Sequence, residues 1–147
     1  LDISTFTAIV AGFIVSQAML VLVTRIKERQ YAKNNQNHSM QSAFAEGHVA
    51  LAIRYAGQAI STALAVTAAS HFLTYSPDTL LVNLVGWLVF GMIMTLLVAL
   101  LTSIAKRLVL MGINLVEEVD QQHNIGVASV EMAISISIAL ILTALMS

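Results

Sequence analysis

Two ionisable side chains, Arg54 and Glu131, stand inside stretches that otherwise carry only apolar and small polar residues. A charge at membrane depth is expensive unless it is paired, reached by water or able to snorkel, so each marks a candidate functional position. Counted from the polar ends of their segments, Gln17, Arg54 and Glu131 lie at similar depth, roughly 9 Å at ~1.5 Å per residue. Arg54, Gln58 and Ser61 recur at i, i+4 and i+7 and share a helical face; Glu131 and Ser135 share another. Such stripes are costly against lipid. Facing one another, Gln17, Arg54, Gln58, Ser61, Glu131 and Ser135 would form a charge-assisted polar seam. Two readings fit Arg54: its long stem carries the guanidinium to the headgroups, or it pairs with Glu131 within a protomer or between protomers. Glu131 is either that partner or a protonated hydrogen-bonding residue between helices. Carboxylates in this setting also serve as proton or cation sites in transporters. An arginine neighbour, by holding the carboxylate charged, argues against proton carriage.

The elements that position these residues follow from composition. Of 147 residues, 58% are hydrophobic and 10% charged, whereas a soluble domain carries charge on about a quarter. The solvent of this chain is therefore mostly lipid. A net charge of −1 offers no basic face for nucleic acid. Cysteine is absent, which excludes thiol catalysis, disulfides and thiolate metal sites and leaves the redox compartment unread. A helix needs ~20 apolar residues to cross a bilayer, and four segments qualify, at about 3–24, 48–73, 79–105 and 125–146. The expected fold is all-α, an integral membrane protein with four transmembrane helices. The first apolar segment is long enough to span, so a cleaved signal peptide is not expected.

Lysine and arginine near helix ends set orientation. Arg25, Lys27, Arg29 and Lys33 follow the first span, and Lys106 and Arg107 follow the third. The amino terminus, the turn at 72–79 and the carboxyl terminus carry neither residue. Both polar connections are therefore expected in the cytoplasm and both termini outside. Ser76, Pro77 and Asp78 suit a helix start at the outer turn. Phe72 and Tyr75 suit an outer aromatic belt.

The second and fourth spans begin alike. His48-Val49-Ala50-Leu51-Ala52 aligns with Asn124-Ile125-Gly126-Val127-Ala128. The chain thus reads as two tandem parallel hairpins, 1–73 and 74–147. With Gly57 added, the motif positions Gly47, His48, Ala50, Ala52, Asn124, Gly126 and Ala128 resemble the paired signatures of the YjfL-type bacterial inner-membrane family, catalogued as a domain of unknown function (number 350). The resemblance covers nearly the whole chain. It implies a four-helix protein of the bacterial inner membrane and no established activity. The family commonly has Gly-Asn before the alternating alanines, and Gly47-His48 departs from that pattern.

Small residues line two helices. Gly126, Ser129, Ala133, Ser137 and Ala144 follow one side of the fourth span, distinct from the Glu131 face; Ala52, Ala56, Ala59 and Ala63 run along the second. Such faces let membrane helices approach closely. They serve packing within the bundle and, beyond it, a homo-oligomer, with bulky faces of the first and third spans toward lipid. The connections 28–46 and 106–122 are candidate docking segments for a cytoplasmic peripheral protein. The first contains a helix restart near residues 39–44. The second extends the third span or lies at the interface, and its acidic end (Glu117, Glu118, Asp120) reads as a solvated helix end. Asp120 and His123 lack a second matching pair for a metal, and no cofactor is expected. Enzyme signatures are missing: no HExxH, no glycine-rich phosphate loop, no serine with a base and orienter. The expected function is a non-enzymatic membrane scaffold or partner-recruiting subunit. The alternative is a small ion or proton conduit lined by the seam.

Overall fold

The computed structural model describes residues 3–70, 78 and 80–146. Helix α1 (Ile3–Asn34), short helix α2 (Met40–Ala45), α3 (Val49–Ala69), α4 (Leu80–Val109) and α5 (Ile125–Met146) follow in order. A π-helix, Val116–Gln121, stands between α4 and α5. Among the described residues there is no strand. Helices α1, α3, α4 and α5 are long and apolar enough to cross a membrane, in keeping with the four expected spans. The outer turn with Phe72, Tyr75, Ser76 and Pro77 lies outside the described residues.

Each helix boundary has a local cause. Helix α1 runs beyond its apolar stretch through the basic residues and stops where Gln36 and Asn37 turn left-handed (φ 56° and 62°). Helix α2 starts where Ser39 caps it, accepting from the Ser42 amide. Gly47 (φ 87°) reverses the chain, and His48 caps α3 by accepting the Leu51 amide at Nδ1. Asn124 caps α5, its Oδ1 accepting the Val127 amide. The aligned positions 48 and 124 therefore perform the same task with different side chains. His48 caps with a ring nitrogen where Asn124 caps with an amide oxygen.

Helix α3 is the hub, packing on α5, α4 and α1. Against α5 it is tightly fitted at Gly57, where a Cβ would lie 2.7 Å from the Met132 Cα. The indole of Trp87 on α4 covers Gly12 of α1 and donates from Nε1 to the Val66 carbonyl at 3.0 Å. The apolar core is built largely of small residues, among them Ala65, Ala68, Ala69 and Ala139, with Met94 and Val98. Phe6, Phe13, Val85 and Leu96 are exposed, as suits helices whose outer faces meet lipid. On α5 the inward face is Ala128, Glu131, Ser135 and Ala139. Gly126, Ala133, Ser137 and Ala144 lie on the exposed side, and Ser129 is half-buried.

Candidate functional site

At the end of the bundle that bears the two polar connections, Arg54 of α3 reaches across to α5. Its Nε and Nη2 donate to Glu131 Oε1 at 3.0 and 2.7 Å. The pairing lies within one protomer. Its Nη1 donates to Asp120 Oδ1 at 2.6 Å, and Nη2 also donates to the Leu115 carbonyl at 3.1 Å. The other Glu131 oxygen accepts from Lys106 Nζ at 2.9 Å. The result is an alternating chain, Asp120–Arg54–Glu131–Lys106, joining the π-helix, α3, α5 and α4. Its anionic members are the more deeply buried, with side chains 2% and 1% exposed for Asp120 and Glu131 against 15% and 18% for Arg54 and Lys106. Burying a lone carboxylate there would be prohibitive; alternating neighbours and charge-assisted hydrogen bonds to both Glu131 oxygens offset the desolvation.

A second layer holds Asp120 in place. Asn35 Nδ2 donates to Asp120 Oδ2 at 2.9 Å, tying in the end of α1. His48, with Nδ1 accepting at the α3 cap, presents Nε2 to the Asp120 carbonyl at 2.9 Å. Its ring stacks on His123, centroids 3.6 Å apart. His123 takes a left-handed backbone (φ 56°) where the π-helix ends. That step releases the chain into the Asn124 cap, and Asn124 Nδ2 donates to Glu118 Oε2 at 2.9 Å.

The expected seam is therefore partly assembled. Arg54 and Glu131 meet. Ser135 is buried on the Glu131 face. Gln58 and Ser61 line a cavity beside the charges, with the Ser61 hydroxyl donating to the Gly57 carbonyl at 2.6 Å. Gln17 is a correction: it is exposed on α1. Val15 and Met19 point inward there, and a residue two positions from each falls on the opposite face of a 3.6-residue helix. Asp120 is a second correction, because it is a buried partner of Arg54 and not part of a solvated helix end. Lys106, read only as a topological marker, is the fourth charge in the cluster. Its signal was present in the sequence: Thr95, Thr102 and Lys106 recur at i, i+7 and i+11, a polar stripe on one face of α4.

Two cavities flank the ion pairs. One of about 90 Å³ lies among α1, α3, α4 and α5. The other, about 80 Å³, lies beneath the connections against Tyr31, Arg54 and Asp120. Lys27 and Gln58 line both. A wider cleft of about 550 Å³ opens between α2, His48 and His123.

These features define a class: a four-helix protein with spans suited to a multi-pass membrane protein and a buried, ion-paired polar end. The profile of the family described as Domain of Unknown Function (DUF350) matches residues 1–146. The chain belongs to that family. No curated protein and no solved structure matches the chain.

Proposed function

We propose that this chain is a non-enzymatic protein of the bacterial inner membrane that assembles with copies of itself through α5, its ion-paired end fixing the geometry of each protomer. The carrying observation is the division of α5. Its polar residues Glu131 and Ser135 are buried on one face, while Gly126, Ala133 and Ser137 lie exposed on the other. In lipid, helices associate through close packing of small residues, because apolar surface alone gives no preference for protein over lipid. Since the Arg54–Glu131 pair closes inside the protomer, self-association rests on the small-residue face. The tandem-hairpin reading is supported by the matched caps at His48 and Asn124. The basic residues favour cytoplasmic connections and periplasmic termini. A peripheral cytoplasmic partner belongs to this reading at 28–46 or 106–122, and the wide cleft against Ser39, Ser42 and Glu46 favours the first.

The test uses the absence of native cysteine. Ser137→Cys in native membranes is expected to give an oxidised dimer, and Ala133→Leu on that background should abolish it. A chain that fails to cross-link and is monomeric by light scattering in mild detergent refutes self-assembly. The conduit reading has its own supporting observation, the pair of cavities whose walls share Lys27 and Gln58. Ion flux in reconstituted vesicles that is abolished by Glu131→Gln would favour it over the scaffold.

A further inference from the structure

The two polar connections differ at their tips. Between Ile26 and Val49 no large hydrophobic side chain is exposed, and the surface there is Arg29, Lys33, Asn37, Gln41 and Glu46. The second connection instead exposes Leu108, Val109, Met111 and Ile113, directly after the basic pair Lys106-Arg107. Leu108 is 67% exposed, as much as Leu96 in the middle of α4. An apolar patch of this kind marks an interaction surface.

Three observations identify what covers it. The first is continuity: Leu96, Leu100, Ile104 and Leu108 recur every fourth residue and are all exposed, so the lipid-compatible face of α4 runs unbroken into the tip. The second is that Lys106 does not end this face. Its ammonium turns inward to Glu131 at 2.9 Å, so it does not mark headgroup level on the outside of the bundle. The third is length. Exposed apolar residues on α4 run from Leu81 to Leu108, roughly 40 Å at ~1.5 Å per residue. On α1 they run from Ile3 to Ile26, roughly 35 Å on the same rise. The hydrocarbon is about 30 Å thick, and the bilayer about 40–45 Å with its interfacial layers. The apolar face of α4 therefore matches the whole bilayer, not its hydrocarbon alone.

We infer that residues 108–113 form an anchor seated in the interfacial layer of the leaflet at the polar end, with the phospholipid bilayer itself as the partner. Gly112 (φ 83°) turns the chain back, which brings Ile113 toward the layer that holds Leu108 and Val109. Arg107 is exposed and makes no ion pair among the described residues, so its guanidinium is free for lipid phosphate. The interfacial layer contains water, and Met111 at the turn stays open to aqueous reagents. Such an anchor sets the depth of the ion-paired end, because Lys106 lies within one helical turn of the tip. It also leaves the polar first connection as the surface for a soluble partner. The inference rests on the reading of α4 as a membrane span and is independent of self-association.

The test puts a fluorescent thiol label on single cysteines, Leu96→Cys, Leu108→Cys and Gln41→Cys, in phospholipid nanodiscs holding one copy each. Spin-labelled lipids serve as quenchers. The label at position 96 is the control for the span and should lose its emission to a spin label near the acyl-chain end. At position 108 the loss should be greatest with a spin label on the headgroup and small with the chain-end label. At position 41 emission should survive both lipids and be quenched by aqueous iodide. Quenching at 96 with none at 108 beyond the level at 41 would overturn the anchor and leave the span intact. A label at 108 quenched most by the chain-end lipid would overturn the interfacial depth. Absence of quenching at 96 would overturn the span and the anchor together. Shielding of 108 from iodide only in discs that hold two copies would assign the tip to a second copy and overturn the bilayer as its partner.

Discussion

At the scale of residues, the order of charges along Asp120–Arg54–Glu131–Lys106 matters more than any single pair. Truncating Glu131 to Leu removes the carboxylate between Arg54 and Lys106 and leaves Asp120 paired with Arg54 alone. Removing one partner from a buried pair typically costs about 3–5 kcal/mol, which SDS-titration unfolding in mixed micelles measures. The alternation also makes an unusual prediction about charge reversal. Exchanging the central pair, Arg54→Glu with Glu131→Arg, keeps that contact but sets Glu against Asp120 and Arg against Lys106. The double variant should therefore unfold as readily as either single variant. Full rescue would mean that the outer charges are not coupled to the inner pair. The sequence revealed Arg54 and Glu131 because each interrupts an apolar run. Asp120 and Lys106 were hidden by polar neighbours, where a buried charge and a solvated one look alike. Gln17 illustrates the converse error, since depth along a helix says nothing about face.

At the scale of elements, two features carry the geometry. The first is the cap of α3. His48 performs two tasks, accepting the Leu51 amide and meeting the Asp120 carbonyl. His48→Asn, which puts at this cap the amide that Asn124 supplies at the cap of α5, should preserve the cap and lose the second contact. A cost of about 1 kcal/mol is expected, that of one net hydrogen bond. His48→Ala loses both and should cost about 1–3 kcal/mol in the same unfolding assay. Equal costs for the two variants would show that the histidine's reach to Asp120 is immaterial. The second feature is the α3–α5 contact. Gly57→Leu puts a branched side chain where even a Cβ would sit 2.7 Å from the Met132 backbone. The helices must part, at a cost of about 1–3 kcal/mol or more. The positions of the long helices were readable in the sequence. The π-helix was not, because its wide turn reflects the need to swing Asp120 under Arg54 and leaves no mark in residue type.

At the scale of the whole molecule, the polar cluster closes one end of a bundle whose outer surface is lipid-compatible. Four spans were legible from apolar length alone, and the placement of lysine and arginine is the basis of the proposed orientation. Introduced cysteines test that orientation on a chain with none of its own. Gln41→Cys and Met111→Cys, both at exposed positions on the connections, should react with a membrane-impermeant thiol reagent only in inverted vesicles. Asp78→Cys should react in intact spheroplasts. The opposite pattern would invert the topology and place the ion-paired end outside. What no sequence pattern supplied is the mutual rotation of the helices, which decides that Glu131 turns inward and the small residues of α5 outward. That rotation is set by packing at Gly57 and Gly12 together with the ionic contacts.

The most direct measurement is a double-mutant cycle on the central pair, Arg54→Met and Glu131→Leu, read as unfolding free energy in mixed micelles. Contacts inside one network give coupling energies of about 0.5–3 kcal/mol, and this pair is expected in the upper half of that range. Costs that add to within about 0.5 kcal/mol would mean that the arginine and the glutamate do not meet within the folded protomer.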